Sequence, residues 1–128
     1  MVESLNPQPQ DKILQLIALF RDDPRAFVTD PAALALAKQA ISEGQDMKLP
    51  PARRAFIYMP FQHSEDAADQ ARSIELFTKL GNPLNLDFAL RHQAIIERFG
   101  RFPHRNEVLG RKSTEEERAF LQEPGPSF

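Results

Sequence analysis

Three histidines, with the arginines and carboxylates around them, carry the chemistry that this chain could perform. The densest polar stretch is residues 99–106, which combines two aromatic residues, two arginines, a histidine and an asparagine. His63 stands just before a helix start, and His92 lies within an apolar helical stripe. If the three imidazoles meet near the same helix ends, a histidine beside a carboxylate could pass a proton while an arginine holds an anion.

We therefore predict one polar cluster at the helix ends, able to hold a peptide or a small anionic ligand. Its candidate ligand-binding residues are His63, Glu65, Asp66, Arg91, His92, Arg101, His104, Arg105 and Asn106. The leading hypothesis is a non-catalytic binding or scaffold module, with no catalytic residue assigned. The alternative is a small acid–base or metal-assisted enzyme, which would use His63, Glu65, His92, Arg101 and His104.

A structural interpretation of the same residues competes with both hypotheses. A buried histidine more often bonds a carbonyl or carboxylate than a metal, and His-x-x-x-His spacing is absent, so we predict no metal and no cofactor. The arginines can pair with Glu65, Asp66, Asp69 or the acidic run 115–117, which would fasten the last helix onto the others. Ser64 is interpreted as a helix cap rather than a nucleophile.

The composition argues against several classes of function. The chain has 128 residues, 41% of them hydrophobic and 27% charged, which suits one compact domain. Phe99 and Phe102 lie among five basic residues between positions 97 and 112, but a net charge of -2 argues against nucleic acid as a partner. With no cysteine and five scattered glycines, thiolate chemistry is excluded and a phosphate-binding loop is not expected.

Nothing in the sequence predicts a membrane partner. The first residues lack the basic start and apolar run of a secretory signal. No apolar run approaches the roughly 18 residues that a membrane-spanning helix needs. The absence of cysteine fits a reducing compartment, so we expect a cytoplasmic protein.

The elements that would position the polar residues are helices, because no segment sustains the period-two alternation of a half-buried strand. Capping side chains, prolines and glycines mark the predicted helix ends. The predicted helices cover approximately residues 11–20, 31–44, 51–60, 64–81, 84–99, 103–110 and 113–121.

Three local signals give sharper predictions. Pro60 should end its helix at a corner, since proline has no backbone N–H to donate. Ser64 should cap the following helix, where Glu65 and Asp66 suit the first turn. Glu116 should complete a capping box by reaching back to the amide of the cap residue.

The spacing of the helices predicts an all-α fold of stacked antiparallel helical hairpins. Capped helices begin at Asp30 and Ser64, 34 positions apart, which is about the period of a tetratricopeptide-type hairpin. The signature tryptophan, glycine and tyrosine of that repeat are missing. We expect a flexible arm over residues 1–10, a single helical domain over residues 11–123 and an irregular tail over residues 124–128.

Three motifs carry a resemblance to a known family. They are residues 59–66 with 68–70, residues 99–106 followed by 109–111 and 113–114, and residues 24–27 with 29–30. Together they resemble a mainly bacterial, uncharacterised family, domain of unknown function 924, over roughly residues 20–128. The resemblance implies a tetratricopeptide-like helical fold, and it brings no established activity and no catalytic residues.

The amino-terminal region departs from that family. Its members usually begin with further helices rich in tryptophan and phenylalanine, and this chain has no tryptophan. The resemblance therefore implies uncovered apolar surface, while residues 13–20 form a helix that is apolar nearly all round. That helix could refill the gap within the monomer or dock across a two-fold axis. We favour the second arrangement and predict a homodimer through residues 11–20.

Overall fold

In the computed structural model the described residues are 11–23 and 30–124, and they contain six α-helices and no strand. The helices are α1 (Lys12–Asp22), α2 (Pro31–Ser42), α3 (Pro51–Gln62), α4 (Ala67–Leu80), α5 (Pro83–Phe99) and α6 (Glu115–Gln122). Short 3-10 turns cover Asp46–Lys48 and Pro103–Arg105. The prediction of an all-α chain is confirmed.

The predicted arm over residues 1–10 lies outside the described residues, and so do residues 24–29 and 125–128. The division into an arm, one helical domain and a tail therefore stays a prediction. Within the described ranges, each helix is too short or too polar to cross a membrane.

Short polar side chains cap most of the helices, and at Asp30 the cap is the one that the sequence predicts. Asp30 accepts a hydrogen bond from the backbone of Ala32 at 2.9 Å, and Asn82 accepts one from Leu84 at 3.0 Å. Each of these caps satisfies an amide that has no partner inside its own helix. A proline at the first position of α2 and of α5 then sets the helical backbone angle at no cost in hydrogen bonds.

The main core forms where consecutive helices pack against one another, α1 on α2, α2 on α3, α3 on α4 and α4 on α5. Small side chains on α2 allow this close approach, since Ala33, Ala37 and Ala40 are fully buried. Larger side chains fill the remaining space, and the buried set also includes Leu16, Ile57, Tyr58, Phe61, Leu76, Phe77 and Ala89. This packing agrees with stacked hairpins, and the tetratricopeptide-like detail stays a prediction.

A second, smaller core lies at the far end of α5. It contains Ile95 and Ile96 from that helix and Phe102 from the loop that follows, and Phe99 and Phe120 pack against it. Because Phe102 is completely buried, the loop is held against the helices rather than extended into solvent. The loop residues predicted to form the polar cluster are thereby placed beside α5.

Two predicted helix ends are wrong. Pro60 does not form a corner but lies buried inside α3, which continues to Gln62. Phe61 and Gln62 are buried beyond it, so packing of the last turn outweighs the lost backbone hydrogen bond. The helix predicted over residues 103–110 is only the 3-10 turn Pro103–Arg105, and residues 106–110 follow it as hydrogen-bonded turns rather than as a continued helix.

Two capping predictions are displaced along the chain. Asp66, not Ser64, caps α4, and it accepts hydrogen bonds from the backbones of Ala68 and Asp69. Ser64 instead accepts from the backbone of Asp66 and donates its hydroxyl to Asp69 at 2.7 Å. At α6 the cap residue is Thr114, so Glu117 rather than Glu116 completes the capping box.

We expect Gly100→Ala to destabilise the fold by about 1 kcal/mol. Gly100 ends α5 with a φ of 75°, and an added Cβ would meet no atom within 4 Å, so the cost is backbone strain alone. Urea unfolding measures the change. Gly100→Asn is the matched variant and should recover part of the loss, because asparagine tolerates this conformation. Equal stability of wild type and Gly100→Ala would contradict the strain argument.

Candidate functional site

The predicted polar cluster forms around the buried ring of Phe102. After α5 ends, the Gly100 N–H donates to the carbonyl of Ile96 at 2.8 Å, and the chain turns back over the helix. The Phe102 ring then meets the His92 ring edge-on, with centroids 5.7 Å apart. Pro103, which follows, is also buried. The loop thus covers the end of α5 and directs its polar side chains toward the start of α4.

Glu65 connects this loop to the segment before α4. Its carboxylate accepts the backbone N–H of Phe102 at 2.6 Å and two N–H groups of Arg111 at 2.7 and 3.0 Å. Arg111 also donates to the carbonyl of Phe102 at 3.1 Å. Partial burial raises the pKa of Glu65, but the hydrogen bonds from Arg111 and Phe102 outweigh burial and hold that pKa below its ordinary value.

A second carboxylate–arginine pair fastens α6 to the same loop. Arg101 donates to both carboxylate oxygens of Glu117 at 2.9 and 2.7 Å, and to the carbonyl of Lys112 at 2.9 Å. Glu117 is buried and also accepts the backbone N–H of Thr114. Hydrogen bonds from Arg101 and Thr114 lower the pKa of Glu117 to about 2. This pairing corresponds to the structural interpretation of the arginines, in which they fasten the last helix rather than bind a ligand.

Arg105 and Asn106 complete the cluster with contacts inside the chain. Arg105 donates to the backbone carbonyl of His63 at 2.6 Å, and its guanidinium lies 4.6 Å from the centre of the Phe102 ring. Asn106 is buried, donates to the hydroxyl of Ser113 at 3.0 Å and accepts from Arg111 at 3.0 Å. We call Glu65, Arg101, Phe102, Arg105, Asn106, Arg111 and Glu117 the polar clasp.

Two of the three histidines lie together. The rings of His63 and His92 are 4.8 Å apart and nearly perpendicular. Nδ1 of the buried His92 lies 2.7 Å from the carbonyl of Phe88, and because a carbonyl only accepts, this nitrogen carries the proton. Burial lowers the pKa of His92 to about 4 and also lowers that of His104. The His104 ring packs against Phe120 instead.

The structure does not bring two of the predicted residues into the cluster. Asp66 caps α4 at an exposed position. Arg91 is exposed on α5 and pairs with Asp87, one turn earlier on the same helix, at 2.9 Å. The other seven candidates lie in the polar clasp or in ring contact with its neighbours.

The predicted cluster did not include Arg111, and it did not include Phe102, around which the cluster forms. Charge alone did not separate Arg111 from the neighbouring Arg98 and Lys112. A signal was nevertheless present, because Arg111 ends the segment 109–111 that accompanied the second family-like motif. Its position in that motif marked it more clearly than its charge did.

The chemical capacity of the polar clasp is limited by its own pairing. The carboxylates of Glu65 and Glu117 each hold two N–H groups of an arginine, so an incoming anion would have to displace a carboxylate already in place. Among the described residues no group of three or more histidine, aspartate or glutamate side chains is arranged to hold a metal ion.

A second candidate site lies between α1 and α3. It is an apolar groove of about 420 Å3, bordered by Arg21 and Arg53. Its apolar lining consists of Ile13, Leu16, Ile17, Phe20, Leu49, Phe56 and Ile57. Leu16 is fully buried, so one face of α1 does fill space within the monomer, whereas Ile17 and Phe56 remain 53% and 62% exposed. This groove is named the α1–α3 groove below.

Comparisons with known proteins give a family and one solved structure. A family model described as "Bacterial protein of unknown function (DUF924)" matches residues 15–125. The chain is similar to the structure of a protein of unknown function, ATU0120, from Agrobacterium tumefaciens, with 46% identity and a TM-score of 0.72. That match covers 82% of this chain and 59% of the Agrobacterium chain, so this chain spans little more than half of that protein. A search of curated proteins finds no match.

We expect Arg111→Ala to destabilise the protein by about 2 kcal/mol, because it leaves the partly buried Glu65 carboxylate without its bidentate partner. Arg111→Lys should recover only part of the loss, since lysine cannot donate in a planar fork. Urea unfolding measures both changes. Arg91→Ala is the matched control and should cost less than about 0.5 kcal/mol, because its ion pair is exposed. Equal losses at the two sites would refute this assignment.

We expect stability to fall as the pH drops from about 6.5 toward about 4. The folded-state pKa of His92, about 4, lies below its ordinary value of 6.5, so within this window the unfolded chain binds a proton that the folded chain does not. The loss should reach at most roughly 3 kcal/mol. It can be measured by urea unfolding at several pH values across the window.

Two variants identify the group responsible for this dependence. His92→Gln should flatten the dependence of unfolding free energy on pH above about pH 5, whatever its effect on stability near neutrality. Below that pH, the lowered pKa values of Glu65 and Glu117 add a dependence of their own. His104→Gln should keep most of the dependence, because His104 is less deeply buried than His92. A dependence in the upper part of the window that survives in His92→Gln would show that another group titrates.

Proposed function

The chain belongs to the DUF924 family of bacterial proteins of unknown function, and on that premise we propose that it is a non-catalytic binding module that pairs with a second copy of itself. The observation that carries the proposal is the α1–α3 groove, an apolar concavity of about 420 Å3 with half-exposed side chains on its walls. Contiguous exposed apolar surface of this kind marks interaction sites on soluble proteins.

The dipole of α1 supports a second copy as the occupant. Asp11 and Lys12 lie at the amino end of the helix, and Arg21, Asp22 and Asp23 lie at its carboxyl end, where Arg21 pairs with Asp22 at 3.4 Å. Two copies of α1 run antiparallel when the two-fold axis is perpendicular to the helix, and the opposed helix dipoles then attract each other. The exposed Arg21 can exchange its partner Asp22 for Asp11 of the other copy.

The shape of the α1–α3 face also fits a symmetric interface. The same face carries a concavity and the protruding side chains of Ile17 and Phe56, which are 53% and 62% exposed. A two-fold axis lets the protrusions of each copy enter the groove of the other. The same patch then supplies both the protruding side chains and the groove that receives them, as an isologous interface requires.

The polar clasp has a structural role in this proposal. Its arginines and carboxylates pair with one another, and we propose that they hold the loop after α5 and α6 against the other helices. The enzyme alternative needs a histidine beside a carboxylate that can take a proton and an arginine that can hold an anion. The carboxylate of Glu65 already accepts from Phe102 and Arg111, and Arg101 already donates to Glu117, so these contacts support docking better than catalysis.

Three finer statements remain predictions within this proposal. They are the cytoplasmic location, the absence of a nucleic-acid partner and the capacity of the polar cluster to hold a peptide or small anion. The match covers only 59% of the Agrobacterium chain, so this proposal concerns the present chain and assigns no activity to a protein of the longer length.

We expect Ile17→Glu to convert a dimer into monomers without unfolding, because Ile17 is half-exposed in the single chain and would be buried in the pair. Sedimentation equilibrium measures the association, and circular dichroism verifies the fold. Leu16→Glu is the wrong variant for this purpose, since Leu16 is fully buried and its loss would unfold the monomer. Arg21→Glu should weaken the dimer by placing like charges together.

Leu84→Glu is the matched control, because Leu84 is 64% exposed on α5 and does not line the α1–α3 groove. It should leave the dimer intact. A wild-type protein that is monomeric at high micromolar concentration would rule out the second copy. A dimer that Ile17→Glu leaves unchanged would place the interface elsewhere.

A further inference from the structure

We propose that a cationic pocket between α2, α3 and α4 binds a small amphipathic monoanion, namely a carboxylate on a short apolar body. The pocket has a volume of about 260 Å3. Basic side chains of Arg54, Arg72 and Lys79 line it together with the apolar side chains of Ile41, Leu76 and Leu80. It is separate from both the polar clasp and the α1–α3 groove, and this inference does not depend on the proposed dimer.

Two buried side chains build a fixed wall for this pocket. Tyr58 and Asp46 are each 4% exposed, and the tyrosine hydroxyl donates to the carboxylate at 2.6 Å. Burial and this hydrogen bond raise the pKa of Tyr58, so the phenol stays neutral. The bond ties the Asp46–Lys48 turn to α3, which keeps the pocket from collapsing or opening with the loop.

One hydrogen bond fixes the side chain of Arg54 and leaves its terminal NH2 groups for a ligand. Its Nε donates to the carbonyl of Leu49 at 3.0 Å, which fixes a half-buried guanidinium at the edge of the pocket. Within residues 11–23 and 30–124, no carboxylate forms an ion pair with Arg54. A guanidinium that is anchored through Nε keeps two terminal NH2 groups, whose planar fork matches a carboxylate.

The charges around the pocket select a single negative charge. Glu75 accepts from both Arg72 at 2.7 Å and Lys79 at 3.4 Å, and thereby takes up part of their charge. Three cations then face two carboxylates, those of Asp46 and Glu75, and the local balance is one positive charge. A monoanion neutralises this balance, whereas a phosphate dianion would leave an excess of negative charge beside the buried Asp46.

The size and the apolar wall define the rest of the ligand. A volume of 260 Å3 corresponds to roughly nine water molecules of the liquid, and it lies just below the range of drug-sized ligand sites. Ile41, Leu76 and Leu80 offer apolar surface in the same pocket as the guanidinium of Arg54. A straight carboxylate of about eight non-hydrogen atoms would place its head on the arginine and its tail on this wall.

Hexanoate is the probe that tests the inference. Titration of the isotope-labelled protein, followed by amide NMR shifts, should show saturable binding with a Kd on the order of 1 mM, as expected for so small a ligand. The shifted amides should belong to residues 41–47, 54–58 and 72–80. Two neutral or cationic analogues of the same length, 1-hexanol and hexylamine, should bind at least about tenfold more weakly.

Neighbouring arginines on α3 supply a matched pair of variants. Arg54→Gln should weaken hexanoate binding by about tenfold, since it removes one charge-assisted contact. Arg53→Gln removes the same charge one residue earlier, where the side chain is exposed and borders the α1–α3 groove, and it should leave binding unchanged. Arg72→Gln is a second pocket variant in case Arg54→Gln does not fold, and thermal melting verifies each protein.

Four results would overturn the inference. They are equal binding of 1-hexanol and hexanoate, inorganic phosphate that binds as tightly as hexanoate, amide shifts confined to the α1–α3 groove, and no saturable shift up to about 20 mM hexanoate. Binding that Arg53→Gln weakens as much as Arg54→Gln would likewise show that general positive charge, rather than this pocket, attracts the anion. None of these results bears on the oligomeric state.

Discussion

The carboxylate of Glu65 is the contact on which this end of the molecule depends. It binds the backbone of Phe102, 37 residues later, and the guanidinium of Arg111, 46 residues later. Both partners come from the segment between α5 and α6, where turns leave the Phe102 N–H and the Arg111 guanidinium to be satisfied by a side chain. A single carboxylate supplies two of those partners and fixes Phe102 in its apolar site beside His92.

This requirement explains why so many charged residues are concentrated around the loop. An ionisable group this close to a core must be paired, because an unpaired buried charge costs several kcal/mol. Two ion pairs meet this requirement, one between Glu65 and Arg111 and one between Glu117 and Arg101. The charge of Arg105 is instead satisfied by a backbone carbonyl and an aromatic ring. Structural pairing and ligand binding need the same residue types, so the sequence of such a segment does not separate the two uses.

The third helix separates the α1–α3 groove from the cationic pocket. Successive residues on an α-helix point about 100° apart. The neighbours Arg53 and Arg54 therefore reach different surfaces, the α1–α3 groove and the cationic pocket. One helix thus contributes both to the groove of the proposed dimer and to the pocket proposed for a small carboxylate.

The sequence by itself determined the helices, because caps and apolar periodicity act over a few residues. The cap at Asp30 is confirmed, and the helix predicted over residues 84–99 agrees with α5. The corner predicted at Pro60 is wrong, because burial of the residues that follow it outweighs the tendency of proline to end a helix. Which carboxylate each arginine meets, and the exclusion of Asp66 and Arg91 from the cluster, only the tertiary structure decided. Those pairings join residues up to 46 positions apart, and charge carries no information about partner at that distance.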